Sequence, residues 1–230
     1  MMENVLVIAA HPDDEVLGCG ATIARHSRLG DIVHVVIIAE GVTSRDIKRE
    51  RIKRGTELST LAKAAHTAKD ILGVSSLILH GFPDNRMDSV DLLDVIKVIE
   101  QHINEYKPAI VYTHHAGDLN VDHRIVHEAV VTACRPAPSQ LVKTLLFFEI
   151  PSSTEWQVSG SAIAFIPNWF VDISDTLDMK MKALEAYQME MRPWPHVRSL
   201  DAVLYLARWR GATIGVKAAE SFVTGRNLIR

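Results

Sequence analysis

The sequence predicts a Rossmann-like, three-layer α/β fold with a mostly parallel sheet and with further strands and helices added at the C-terminal end. Three observations carry this. Apolar runs of strand length alternate with helix-patterned stretches as far as Arg135. Runs such as Val5–Ala10 (VLVIAA) and Val35–Ala39 (VVIIA) are apolar at successive positions, as in strands covered on both faces. A chain of 230 residues, 47% of them hydrophobic, suits one domain spanning 1–230, which buries roughly 70–75% of its unfolded surface.

The elements follow in order. Asn4–Ala10 is a buried strand, and a helical stretch runs from Asp14 to Leu29, where Gly30-Asp31 ends it. Asp31–Ala39 is a second strand. Ile47–Leu72 is a long helical pattern closed by Gly73, and Ser76–Leu79 is a short strand. Val90–Tyr106 places Leu92, Ile96, Ile99, Ile103 and Tyr106 on one helical face. Pro108 introduces the strand Ala109–Thr113, and Asp122–Arg135 is helical. After Pro136 come the strands Leu145–Ile150 and Phe170–Ile173, then helical patterns over Thr176–Met191 and Ser199–Ser221. Right-handed βαβ units are expected from the first half.

Composition removes several classes of function. Lys and Arg number 25 against 28 Asp and Glu, a net charge of −3, so nothing attracts nucleic acid or an anionic membrane surface. No apolar stretch approaches the roughly 18 residues of a membrane-spanning helix. The first apolar run has no cationic segment before it, so no signal peptide is expected. Cys19 and Cys134 stand far apart on apolar helix faces, which fits buried thiols in a reducing, cytoplasmic compartment.

Directly after the first strand stands His11-Pro12-Asp13-Asp14-Glu15. Ligands of open α/β sheets sit at the carboxyl ends of strands, so this cluster occupies a functional place. His11 and Asp14 can converge on one cation across a strand-to-helix turn, with Asp13 directed to another side. Capping of the helix by an acidic residue is the plainer reading, but it needs one carboxylate, not three. Gly18-Cys19-Gly20 with Glu40 some way on suggests a dinucleotide site. The glycines come two turns too late, however, and three carboxylates would repel a pyrophosphate. The fourth strand is followed by His114, His115, Asp118, Asn120, Asp122 and His123. If that strand lies beside the first, one of these imidazoles completes a two-histidine, one-carboxylate set that leaves a position open for water.

AHPDDE after the first strand and DHR opening a helix after the fourth resemble the PIG-L/LmbE-like family of zinc-dependent de-N-acetylases. Arg54-x-x-Glu57, GFPDNRMD (Gly81–Asp88) and FVDIS (Phe170–Ser174) extend the resemblance over most of the chain. It implies His11, Asp14 and His123 as ligands of one Zn²⁺ per chain and Asp13 as general base. It further implies Arg54, Asp84 and Met87 at a small-molecule amino-sugar substrate; Arg86 and Arg45 are candidates for an anionic part of it, with solvated surface arginine the plainer reading of both. Zinc lowers the pKa of its water toward about 7, which suits amide hydrolysis.

One departure stands out. Family members often carry a histidine where this chain has Asn120. Either Asn120 stabilises the oxyanion, or His115 takes the histidine's place, or Asp13 moves every proton. Asp122 can orient an imidazole or cap its helix. A silent zinc or sugar-binding protein and a hydrolase of another amide stay open as alternatives. Ser152–Trp156 and Arg192–His196 are candidate walls of the pocket, and the latter equally suits contact between copies in a homo-oligomer.

Overall fold

The computed structural model describes residues 2–138 and 141–229. Strands β1 (Asn4–Ala9), β2 (Ile32–Ala39), β3 (Ser76–Phe82), β4 (Ile110–His114) and β5 (Thr144–Phe148) run parallel in the order β3-β2-β1-β4-β5. Beyond β5 the direction reverses. β6 (Trp169–Asp172) is the far edge and β7 (Ala219–Asn227) lies between it and β5, antiparallel to both. The helices are α1 (Asp14–Arg28), α2 (Gly55–Leu72), α3 (Leu92–Tyr106), α4 (Val121–Ala133), α5 (Leu177–Ala186) and α6 (Leu200–Ala212).

The continuous apolar runs explain the layering. Alternate residues of β1 face opposite sides: Val5, Val7 and Ala9 pack with residues of α1, α2 and α5, whereas Leu6 and Ile8 pack with α3 and α4. Gly18 has its place here for packing, since a Cβ would lie 2.5 Å from the Phe148 ring. That accounts for a glycine in the Gly18-Cys19-Gly20 run without any phosphate.

Three expected helices are shorter than the pattern, among them the one expected over Thr176–Met191, which ends at Ala186. Residues 47–54 are irregular, and α2 starts only at Gly55. Arg49 donates to both oxygens of Glu40 and to Gly81 O, while Arg54 is held by Asp46, so tertiary ion pairs override helix propensity. The last pattern breaks at α6. Gly211 lets Ala218 return against the helix, where a Cβ would lie 2.6 Å from Ala218 Cα, and Gly215 turns with φ +81°. The chain then enters β7, the strand that joins the two expected ones.

β7 also completes α1. That helix is interrupted at Cys19 (φ −150°), which releases backbone N–H groups in its middle. Ala21 N and Thr22 N donate to Glu220 at 3.1 and 2.7 Å. Buried Lys180 of α5 donates to Glu220 Oε1 at 2.6 Å and to Leu17 O at 2.8 Å.

Candidate metal centre and pocket

β1 and β4 are neighbours, paired from Val5↔Ile110 to Val7↔Tyr112, so the segments leaving them meet at one sheet edge. His11 follows β1 and Asp14 opens α1. His123 lies in the first turn of α4, where Asn120 caps the helix by accepting from Asp122 N at 2.8 Å and His123 N at 3.4 Å. Asp14 Oδ2 is 3.3 Å from His11 Nδ1 and 3.2 Å from His123 Nε2. The three donors lie within 4.8 Å of one another, a spacing that one divalent cation can bridge. The buried atoms Asp14 Oδ1 and His123 Nε2 make no hydrogen bond of their own. Such atoms carry an unmet need for a partner, and a cation supplies it.

Each imidazole is backed by a second carboxylate. His11 Nε2 donates to Asp122 Oδ2 at 2.9 Å, and His123 Nδ1 lies 3.1 Å from Asp118 Oδ1. This fixes which nitrogen of each ring faces Asp14, in the manner of carboxylate–histidine–metal triads. Asp118 is gripped by the hydroxyls of Ser153 and Thr154 and by Asn120 N. Burial works to raise its pKa, but the hydrogen bonds, His123 foremost, hold it at about 2. Burial likewise works to depress His123, yet Asp14 and Asp118 outweigh it and lift the ring to about 9. His114 is excluded as a ligand because its Nε2 accepts from Ala10 N at 2.8 Å; its ring stacks on His123 at 4.0 Å.

Asp13 adopts φ 116°, left-handed and strained for a residue with a Cβ. Its N–H donates to Glu15 Oε2 at 3.1 Å, and Tyr187 holds the other oxygen of Glu15 at 2.6 Å. The twist delivers the Asp13 side chain to a cavity of about 110 Å³ that it lines with His11, Ser44, Arg45, Asp84, Asn85, Asn120, Glu190 and Arg198. Arg198 Nη1 donates to Asp13 Oδ2 at 2.9 Å. Burial pushes the Asp13 carboxyl well above the usual range, against the pull of Arg198 and with help from Asp14 and Glu190.

His11, Asp13, Asp84 and Asn120 thus converge on one cavity, with Asp14, Asp122 and His123 just behind it. Asp122 is not the cap of α4. Besides His11 it accepts from Asn85 N at 2.6 Å and Met87 N at 3.0 Å, tying the 84–87 loop to the cluster. Four expected residues do not line the cavity. His115 turns away, its Nε2 against Ile163 O at 3.0 Å. Arg54 is spent on Asp46 and Glu57, each at 2.7 Å. Arg86 donates to the carbonyls of Asp46 and Ile47, and Met87 is wholly buried in the core. Ser152–Thr154 stands behind the site, holding Arg198 and Asp118.

The sequence reading missed Asp118, Glu190 and Arg198. For Asp118 a signal was present, an acidic residue in a loop already rich in ligands. Glu190 and Arg198 come from the far end of the chain, where nothing local marks them.

Fold and site together define an α/β protein with a candidate metal centre where two parallel strands of its sheet end side by side. More narrowly, the chain belongs to the PIG-L family: residues 6–134 match the family described as GlcNAc-PI de-N-acetylase. It is 30% identical over 192 residues to the Escherichia coli (strain K12) protein named Uncharacterized deacetylase YaiS, covering 81% of this chain and 91% of that one. It is 27% identical over 234 residues to the diacetylchitobiose deacetylase of Thermococcus kodakarensis, covering 91% and 80%. Among solved structures, the conserved protein TT1542 from Thermus thermophilus matches with a TM-score of 0.76 at 25% identity, covering 100% of this chain and 97% of that one.

Proposed function

We propose that this chain is a zinc-dependent hydrolase that removes the acetyl group from an N-acetylated amino sugar or its conjugate, releasing acetate and a free amine. The observation that carries the reading is the His11–Asp14–His123 cluster opening beside a cavity lined by Asp13. One zinc per chain would be held by those three residues, lowering the pKa of a water toward about 7 and polarising the amide carbonyl.

The chain's own residues then divide the work. Asp13 takes a proton from the attacking water and later passes it to the departing amine. Arg198 holds the Asp13 carboxylate by one oxygen, leaving the other for the water. Asn120 is one polar donor of the cavity, its Nδ2 now donating to Asn85 Oδ1 at 2.8 Å, and it supports the oxyanion. Asp84 and Asn85 receive sugar hydroxyls. Two buried, unpaired cysteines suit the reducing cytoplasm as the place of action.

The test is acetate release from a panel of N-acetylhexosamine glycosides, with metal analysis of the same preparation. Stoichiometric zinc with no acetate from any of them overturns the reading and leaves a metal-binding protein on this fold.

A further inference from the structure

We infer that the substrate is an uncharged glycoside or oligosaccharide of an N-acetylated amino sugar, and that conjugates carrying a carboxylate or phosphate beside the sugar are turned away. This rests on the deacetylase reading and narrows it. It follows from what the arginines around the cavity already hold. Arg45 Nη2 donates to Glu190 Oε1 at 2.7 Å, and Arg198 donates to Asp13 at 2.9 Å and to Ser152 Oγ at 2.6 Å. Arg54 is bound to Asp46 and Glu57, and Arg86 to two backbone carbonyls. Among the described residues, no arginine lines the cavity without a carboxylate of the protein on its guanidinium.

An anionic substrate must therefore share a guanidinium whose charge a carboxylate of the protein already balances, or draw that guanidinium away from it. Arg198 cannot be drawn off without releasing the base that the reaction needs. Arg45, at the rim, is the accessible one, with its side chain 36% exposed against 14% for Glu190. Drawing it toward a substrate anion strands the more enclosed Glu190, and the anion then faces Glu190 and Asp84 as like charges. Sugar hydroxyls meet no such barrier. They donate to Asp84 and Glu190 and accept from Asn85, Asn120 and Ser44 with every ion pair intact.

The experiment compares kcat/KM of the zinc-loaded protein for two neutral substrates, N-acetylglucosamine methyl glycoside and diacetylchitobiose, with two anionic ones, the malate and phosphate conjugates of N-acetylglucosamine. Neutral substrates are expected to lead by about tenfold or more. Glu190→Gln, checked for wild-type zinc content and melting temperature, removes the charge that balances Arg45, and the neutral-to-anionic ratio should then fall by about tenfold. A wild-type preference for the anionic pair overturns the inference but leaves the deacetylase reading standing. A ratio that Glu190→Gln does not move overturns it as well. Turnover of neither class overturns the deacetylase reading itself.

Discussion

Asp118→Asn tests whether the carboxylate behind His123 governs the metal. Asn is close to isosteric, and its carbonyl oxygen can still accept from Asn120 N and the Ser153 hydroxyl. Its amide nitrogen meets Thr154 Oγ1, which can turn to accept because its present bond to Asp118 is one it donates. The change therefore removes the charge on the His123 contact at 3.1 Å and little else. A charge-assisted hydrogen bond contributes about 1.5–3 kcal/mol, which at about 1.4 kcal/mol per decade weakens zinc binding by about ten- to a hundredfold. Competition against a chromophoric chelator near neutral pH reads this directly. Stability carries a second signature. Asp118 is held at about 2 against an ordinary 3.8, so it stabilises the fold above its ordinary value and ceases to do so as pH falls through about 2. That acid step should vanish in the variant. A zinc Kd within about twofold of wild type would refute the argument.

Three further outcomes are expected. Asp13→Asn should lower turnover by about 10²–10⁴-fold with zinc retained, and Asn120→Ala by about 10²–10³-fold; His115→Ala, away from the cavity, should lose far less, and the reverse order of the last two would refute the assignment of Asn120. Without metal, His123 titrates near 9 and His11 well above its ordinary value, where Asp122 and Asp14 prevail over burial. Zinc binding at neutral pH should therefore expel about two protons and tighten as pH rises; calorimetry in buffers of different ionisation enthalpy measures the number, and no release would refute it. Lys180→Met leaves buried Glu220 with its two backbone donors but no cation, and should cost about 3–5 kcal/mol in urea denaturation, with a loss below about 1 kcal/mol counting against a stabilising pair.

How much of this was legible in the sequence depends on how far apart the interacting residues lie. His11, Asp13 and Asp14 share one turn, and continuous apolar runs put that turn at the end of a doubly covered strand, so two members of the candidate metal cluster and the parallel half of the sheet could be read directly, whereas His123 came only from the resemblance. Arg198 reaches Asp13 across 185 positions, and Glu190 meets Arg45 across 145, pairings that no local pattern records. β7 was hidden for another reason. Its residues continue a tolerable helical pattern past α6, and only the close approach of Ala218 to Gly211 makes the chain turn back. Arg54 and His115 illustrate the converse, with residues of the right type drawn to nearer partners.

Glu220 gives the order of synthesis a consequence. The helix that begins with the candidate ligand Asp14 has an open middle at Ala21 and Thr22 until a residue some two hundred positions later arrives to fill it. As the chain leaves the ribosome, His11 and Asp14 of the candidate metal cluster emerge long before they have the support that keeps α1 in place. A nascent chain halted before β7 should therefore capture zinc weakly or not at all, although His11, Asp14 and His123 have all emerged. If the cluster binds zinc, its loading would then report the arrival of β7.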